Sequence, residues 1–327
     1  MTEMSYAQAA CLALCQEMER DPLVWALGED LAPEGGVAGQ YLGLQEIFGR
    51  ERIVATPISE SMIMAAGVGA AITGTRPVVE LRYCDFGYCA ADEIINQAAK
   101  IRYMSGGQVR VPVVIRMSIG MRESMAAQHS QSNEALWAGV PGLVVIAPSS
   151  PADLHALLKA SVRADDPVMF LEHKELWTTR GEVDENAPPA EIGKAAVCRE
   201  GSDLTIVSWS NMVAKSLLAA ESLHEQGVSV EVIDLRTLYP WDRQTVFGSV
   251  RKTGRVMVVN EAIKIGGWGG EIVSEIAENA FDALKAKPMR LGTPRTPVPF
   301  SKVLETPLRI QVDTIAQACL HLMGRGA

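Results

Sequence analysis

Short apolar, β-rich runs alternate with helical patterns along the first half of the chain, and this alternation limits the fold more than any other feature of the sequence. Pro77–Leu81, Val111–Met117, Gly142–Ala147 and Val168–Glu172 read as strands buried on both faces. Between them, Ser59–Gly74 is rich in Ala, Met and Gly, and Ala91–Met104 carries apolar residues at helical spacing. Ser150-Pro151-Ala152-Asp153 starts a further helix with Pro in its first turn. Such an order predicts an α/β fold with a mostly parallel sheet.

From about Thr178 to Gly201 the pattern lapses into GEVDENAPPAEIGKAAVCREG, where acidic residues, adjacent prolines and glycines break the periodicity. The alternation then restarts, with strands expected at Leu204–Trp209, Val228–Leu235 and Arg255–Asn260. Helices are expected at Asn211–Gln226, Asp242–Arg251 and Gly270–Lys285. A chain of 327 residues suits two domains, and the lapse places them at 1–190 and 191–327, each an α/β unit with a mostly parallel sheet. No short repeat or low-complexity tract argues for an array. At the N-terminus, Ser5-Tyr6-Ala7-Gln8 fits a capping box, so AACLALCQEMER is expected to be the first helix rather than a cleavable leader.

Thirty Lys and Arg against thirty-nine Asp and Glu give a net charge of −9 with no basic run, which argues against nucleic acid or an anionic membrane as partner. No stretch reaches the roughly 18 uncharged apolar residues needed to span a bilayer. Six cysteines without a CxxC pair read as small buried hydrophobes in a reducing compartment, so the chain is expected to be cytoplasmic.

Ligands of such sheets bind at the carboxyl ends of the strands, yet the common signatures are missing there. No Walker loop occurs, and Gly67-Val68-Gly69 lies inside a helical pattern instead of at its start, which suits helix packing better than a dinucleotide. Gly266-Gly267-Trp268-Gly269-Gly270 precedes a helix, as an anion-binding loop or a merely flexible one would. The five histidines lack metal-ligand spacing, and there is no G-x-S-x-G elbow. Three positions remain. Glu60, in Thr56-Pro57-Ile58-Ser59-Glu60, enters an apolar helix and is either a favourable charge at the helix start or an acid/base tuned by apolar surroundings. His129, in Gln128-His129-Ser130-Gln131, is either structural or an acid/base. Phe86 follows a strand, where its ring can fill the core or stack on a flat ligand.

These segments, in this order, resemble the beta subunit of the thiamine-diphosphate-dependent component of 2-oxoacid and acetoin dehydrogenase complexes, within the transketolase-like family. The resemblance spans nearly the whole chain. It is carried by GED at Gly28–Asp30, TPISE at Thr56–Glu60, NQAAKIRYMSGGQ at Asn96–Gln108, QHSQ at Gln128–Gln131, PGLVVIAPSSP at Pro141–Pro151, VIDLRTL at Val232–Leu238 and KTGRVMVV at Lys252–Val259. FLEHK at Phe170–Lys174 and TPVPFSKVLE at Thr296–Glu305 look most like the acetoin branch.

The resemblance implies a pyrimidine-binding domain followed by a transketolase C-terminal-like domain, and it assigns roles. Glu60 shares a proton with the aminopyrimidine nitrogen, favouring the tautomer that removes the thiazolium proton, and the ring then acts as electron sink while a carbon–carbon bond beside a carbonyl breaks. Phe86 stacks on the pyrimidine, Glu29 lies beside the cofactor, and His129 faces the substrate side. The Gly-Asp-Gly and Asn-Asn segments that hold diphosphate and magnesium in complete thiamine enzymes are absent from this chain. No metal ligand is therefore expected here. The resemblance instead implies an alpha subunit that supplies the diphosphate and magnesium sites in a two-plus-two heterotetramer, with the acyl unit of a small carbonyl substrate passed to a lipoyl-bearing acyltransferase.

Two departures touch the substrate side. Ala55 stands where the family usually has an acidic residue, and Met121-Arg122-Glu123-Ser124-Met125 where it usually has small residues or Gly. A charged Arg122 or Glu123 would favour or exclude a carboxylate. The competing readings are a non-catalytic or regulatory relative, a transketolase-like half-enzyme with another acceptor, and a nicotinamide dehydrogenase. The first has no reason to keep Glu60, Phe86 and His129 together, and the last lacks its Gly-rich turn.

Overall fold

The computed structural model describes residues 1–325 and comprises two compact units. One is made of Met1–Ile119 and Leu136–Ile192; the other is made of Gly120–Ala135 and the described chain from Gly193 onward.

The first unit contains β1 (Thr2–Ser5), α1 (Tyr6–Arg20), β2 (Val24–Gly28), α2 (Leu44–Phe48), β3 (Ile53–Ala55), α3 (Glu60–Ile72), β4 (Arg76–Tyr83), α4 (Ala99–Met104) and β5 (Val114–Ile119). After the short α5 (Glu134–Ala138) come β6 (Val144–Ile146), α6 (Pro151–Arg163), β7 (Val168–His173) and β8 (Arg180–Val183). Strands β6, β7, β5, β4, β2 and β3 are neighbours in that order, every pair parallel. Every residue of β5 and β7 is buried, which is why their sequences carry no alternation. The capping box forms as the sequence predicts: Gln8 N–H donates to Ser5 Oγ at 3.2 Å, and Ser5 N–H to Gln8 Oε1 at 2.8 Å. Helix α3 lies on β4 at Gly67, where a Cβ would come within 2.4 Å of Val79 Cγ2. Close helix–sheet approach thus accounts for that glycine.

Several elements differ from the sequence expectation. β5 begins at Val114 instead of Val111, because Pro112 has no N–H to give to a ladder. The helix expected over Ala91–Met104 follows a 3₁₀ turn at Phe86–Ala90 and is split into a π turn at Glu93–Ala98 and then α4, the π turn being a local bulge in the helical ladder. The boundary segment holds two strands: β8 pairs antiparallel with β1, and β9 (Ala196–Arg199) joins the second sheet. Cys84 and Cys319 are buried, but Cys89 and Cys198 are exposed, so the cysteines are not uniformly core residues; all six are free thiols.

The second unit continues with β10 (Leu204–Ser208), α7 (Asn211–His224), β11 (Val230–Asp234), β12 (Thr237–Tyr239), α8 (Arg243–Thr253), β13 (Val256–Ile263), α9 (Gly269–Asn279), β14 (Met289–Thr293), α10 (Lys302–Glu305) and α11 (Val312–Leu322). Its sheet runs β14-β13-β10-β11-β9, parallel except for β9 at one edge. Ile206, Val232 and Met257 from the strands, Met212 and Leu223 from α7, and Ile315 and Cys319 from α11 share one apolar core. Helix α9 stops at Asn279, short of the expected Lys285, and a 3₁₀ turn at Phe281–Ala283 follows. Among the described residues no helix is long and apolar enough to cross a membrane.

Candidate active site

Because the strands of the first unit run parallel, their carboxyl ends share one edge, and three neighbouring strands deliver the singled-out residues there. β2 ends at Gly28 and continues into Glu29; β3 ends at Ala55 and leads through Thr56–Ser59 to Glu60; β4 ends at Tyr83, three residues before Phe86. Gly28 is fixed by close approach: a Cβ on it would lie 2.4 Å from the Glu80 carbonyl oxygen on β4. Thr56 N–H donates to Gly28 O at 2.9 Å, extending the β2–β3 ladder to the edge of the site.

Glu60 is the first residue of α3, and the Ser59 side chain makes no capping bond there. Its carboxylate therefore sits at the positive end of a 13-residue helix. Ser61 Oγ donates to Cys89 O at 2.5 Å, tying the start of α3 to the turn that Phe86 opens. The Phe86 ring meets Tyr83 edge-on, centroids 5.8 Å apart at 68°. Gly87 lets this turn settle, since a Cβ there would be 2.7 Å from Met117 Sδ. Glu29 is 3% exposed, and its Oε1 is enclosed with no hydrogen-bond partner. Burial raises its carboxyl above the ordinary range, the Glu60 charge adds to the rise, the Arg82 guanidinium opposes it, and Asp30 adds a smaller rise.

Behind this edge lies a buried ionic layer. Arg116 on β5 is fully buried, and its Nε donates to Glu172 Oε1 on β7 at 2.7 Å; its guanidinium stacks over the Tyr41 ring at 4.9 Å. Tyr41 Oη donates to Glu80 Oε2 at 3.0 Å, and Arg82 N–H to Glu80 Oε1 at 3.0 Å. Burial pushes the Glu80 carboxyl up to about 7, Arg116 pulling it down and Glu172 pushing it further up. Lys174, 1% exposed, holds its Nζ 5.3 Å from the Tyr83 ring centroid.

His129 belongs to the second unit, on a 3₁₀ turn at Ala127–His129 within the segment 120–135. That segment is pinned within its own unit. Met121 N–H donates to Glu261 Oε1 at 2.6 Å, Ser124 N–H to Glu305 Oε2 at 2.9 Å, and Trp209 Nε1 to Glu134 Oε1 at 3.1 Å. Glu123 forms an exposed ion pair with Lys302 at 2.9 Å. Of the four residues singled out, Glu29, Glu60 and Phe86 are gathered on one edge of the first unit, and His129 is carried by the second.

The edge offers a buried carboxyl and a second carboxyl close enough to perturb it, at a helix start, with an aromatic ring on the adjacent strand end. Such a pair can hold a proton against a basic ring nitrogen while the aromatic ring takes a flat ligand. The residues of the ionic layer were not singled out in the sequence, although charged residues inside apolar runs (Glu80 in VVELR, Arg116 in VVIRM, Glu172 in MFLEH) were a readable signal, since charges are rarely buried unless paired.

Comparison with known proteins gives matches to two family descriptions: transketolase, pyrimidine binding domain, over residues 2–179, and transketolase, C-terminal domain, over residues 193–315. The chain is 42% identical over 324 residues to the 2-oxoisovalerate dehydrogenase subunit beta of Bacillus subtilis (strain 168), covering 98% of this chain and 99% of that one. It is 45% identical over 324 residues to the acetoin:2,6-dichlorophenolindophenol oxidoreductase subunit beta of Cupriavidus necator, covering 96% of each. It is 42% identical over 319 residues to a pyruvate dehydrogenase E1 component subunit beta of Staphylococcus epidermidis, covering 97% of this chain and 98% of that one. Among solved structures, a split-gene transketolase described as an inactive beta4 tetramer superposes with a TM-score of 0.80 at 22% identity over 99% of each chain, a likeness of fold.

Proposed function

The chain belongs to the family of beta subunits of thiamine-diphosphate-dependent 2-oxoacid and acetoin dehydrogenases, and from that premise we propose that it supplies the pyrimidine half of a site completed by an alpha subunit. The complete enzyme cleaves a carbon–carbon bond beside a carbonyl and passes the acyl unit to a lipoyl acceptor. The observation that carries this reading is the convergence of Glu29, Glu60 and Phe86 on the carboxyl ends of three adjacent parallel strands, with Glu29 Oε1 enclosed and awaiting a partner. Those residues fit an aminopyrimidine: a ring face for Phe86 and ring nitrogens for carboxyl groups. When bound, thiamine diphosphate supplies an acidic carbon and an electron sink.

Within this half, Glu60 holds a proton toward the pyrimidine from the start of α3, Phe86 orients the ring, and Glu29 keeps a second carboxyl beside Glu60. His129 acts on the substrate side. The diphosphate and magnesium sites fall to the alpha subunit, because this chain contains no Gly-Asp-Gly or Asn-Asn segment. The assembly is a two-plus-two heterotetramer, and the six free thiols suit a reducing cytoplasm. Residues 1–190, apart from the segment 120–135 that belongs to the second unit, act as the pyrimidine-binding domain, and 191–327 as the C-terminal domain. The test is reconstitution. The purified chain with thiamine diphosphate and magnesium should show no turnover of acetoin, pyruvate or branched 2-oxoacids, and a cognate alpha chain should restore it for one of them. Robust turnover by this chain on its own would overturn the division of labour.

A further inference from the structure

Arg82 stands at the carboxyl end of β4, where the β4–β5 register shifts between Glu80 and Tyr83. Its backbone is left-handed (φ 61°) and held from both sides: its N–H donates to Glu80 Oε1 at 3.0 Å, and its carbonyl accepts from Ser118 Oγ at 2.6 Å. The side chain crosses to the next strand end and forms an ion pair, Nη1 to Oδ2, with Asp30, which is itself left-handed (φ 55°). A left-handed conformation is unfavourable for residues with a Cβ and persists where surrounding contacts over-determine it. Two such residues therefore clamp one ion pair beside Glu29. The Arg82 Nε is buried without a partner.

We propose that Arg82 is a positioning residue: clamped to Asp30 from the end of β4, its guanidinium holds a positive charge beside the carboxyls of Glu29 and Glu60. The inference rests on the reading of Glu29 and Glu60 as cofactor-facing carboxyls. The charges that act on Glu29 are Glu60 from the start of α3, Arg82 from β4 and Asp30 from its own strand end. Burial, Glu60 and Asp30 all favour the protonated form, and Arg82 opposes them with more effect than Asp30 has. Without Arg82, Glu29 would keep its proton to higher pH and would cease to press negative charge on Glu60.

The test is a side-chain carboxyl titration of the full chain labelled with ¹³C at glutamate, the Glu29 signal being assigned by its loss in Glu29→Gln. Arg82→Met and Arg82→Gln should raise the Glu29 midpoint by about one pH unit, as loss of a nearby opposite charge does, and Arg82→Lys should restore most of it. Either neutral variant suffices if the other fails to fold. An unchanged midpoint in the neutral variants, or an equal rise in Arg82→Lys, overturns the proposal. In the enzyme assembled with its alpha chain, the pH profile of hydrogen–deuterium exchange at the thiazolium carbon should move in the same direction as the carboxyl; a profile that stays put while the carboxyl moves overturns the positioning role. No exchange in the unsubstituted assembled enzyme would sink the reading of the site, and the carboxyl titration would still decide whether Arg82 governs Glu29.

Discussion

Replacing Glu80 by Gln should change how stability varies with pH more than it changes stability at any one pH. In the folded chain the Glu80 carboxyl titrates at about 7, against 4.5 when unburied. A group whose folded value is raised contributes its full stability below the unfolded value and loses it as pH climbs toward the folded value. For a shift from 4.5 to about 7, linkage gives a loss of roughly 2.5 kcal/mol between pH 5 and pH 8. Gln has nearly the shape of the protonated acid and keeps one oxygen for the Arg82 N–H at 3.0 Å, while the Tyr41 hydroxyl exchanges its acceptor for a donor. That exchange costs about 1 kcal/mol at all pH values. The variant should thus be slightly less stable than the parent at pH 5 and more stable at pH 8. Urea unfolding of both proteins at pH 5, 6, 7 and 8, followed by circular dichroism, reads the difference directly, and titrations of groups remote from Glu80 cancel between them. A difference that stays constant within about 0.5 kcal/mol over that range would refute the reasoning, because Glu80 would then ionise at the same pH folded and unfolded.

Two further predictions separate the steps of the reaction. Glu60→Gln should slow hydrogen–deuterium exchange at the thiazolium carbon of the assembled enzyme by at least ~10²-fold with little effect on unfolding; an unchanged rate would leave Glu60 as a charge at a helix start. His129→Ala should leave that exchange nearly intact and reduce turnover ~10²–10⁴-fold. Loss confined to a lipoyl-domain assay assigns His129 to acyl transfer, loss with an artificial electron acceptor as well assigns it to bond cleavage, and unfolding with full activity per folded molecule assigns it a structural role.

What could be read in the sequence depended on how far apart the interacting residues lie. The strand at Val168–His173 announces itself because burial on both faces leaves a continuous apolar run, and Glu60 because strand, turn and helix are contiguous. The Arg116–Glu172 pair needs the knowledge that β5 and β7 are neighbours, and Arg82–Asp30 that β4 and β2 are. Both members of each pair were visible as charges, yet nothing local says which charge meets which. The ladder between β1 and β8 joins Thr2 to Val183, so a segment that reads as a breaker-rich linker becomes a strand only through its partner.

The order in which the chain is synthesised gives the segment 120–135 a history of its own. It emerges between two stretches of the first unit, but the carboxylates that accept the Met121 and Ser124 amides, on Glu261 and Glu305, lie 140 and 181 residues downstream. At translation rates of about 5–20 residues per second, Ser124 waits roughly 10–40 s for Glu305 to appear. During that interval the nascent segment bearing His129 lacks these downstream anchors and offers proteases and chaperones a stretch that the finished protein pins down.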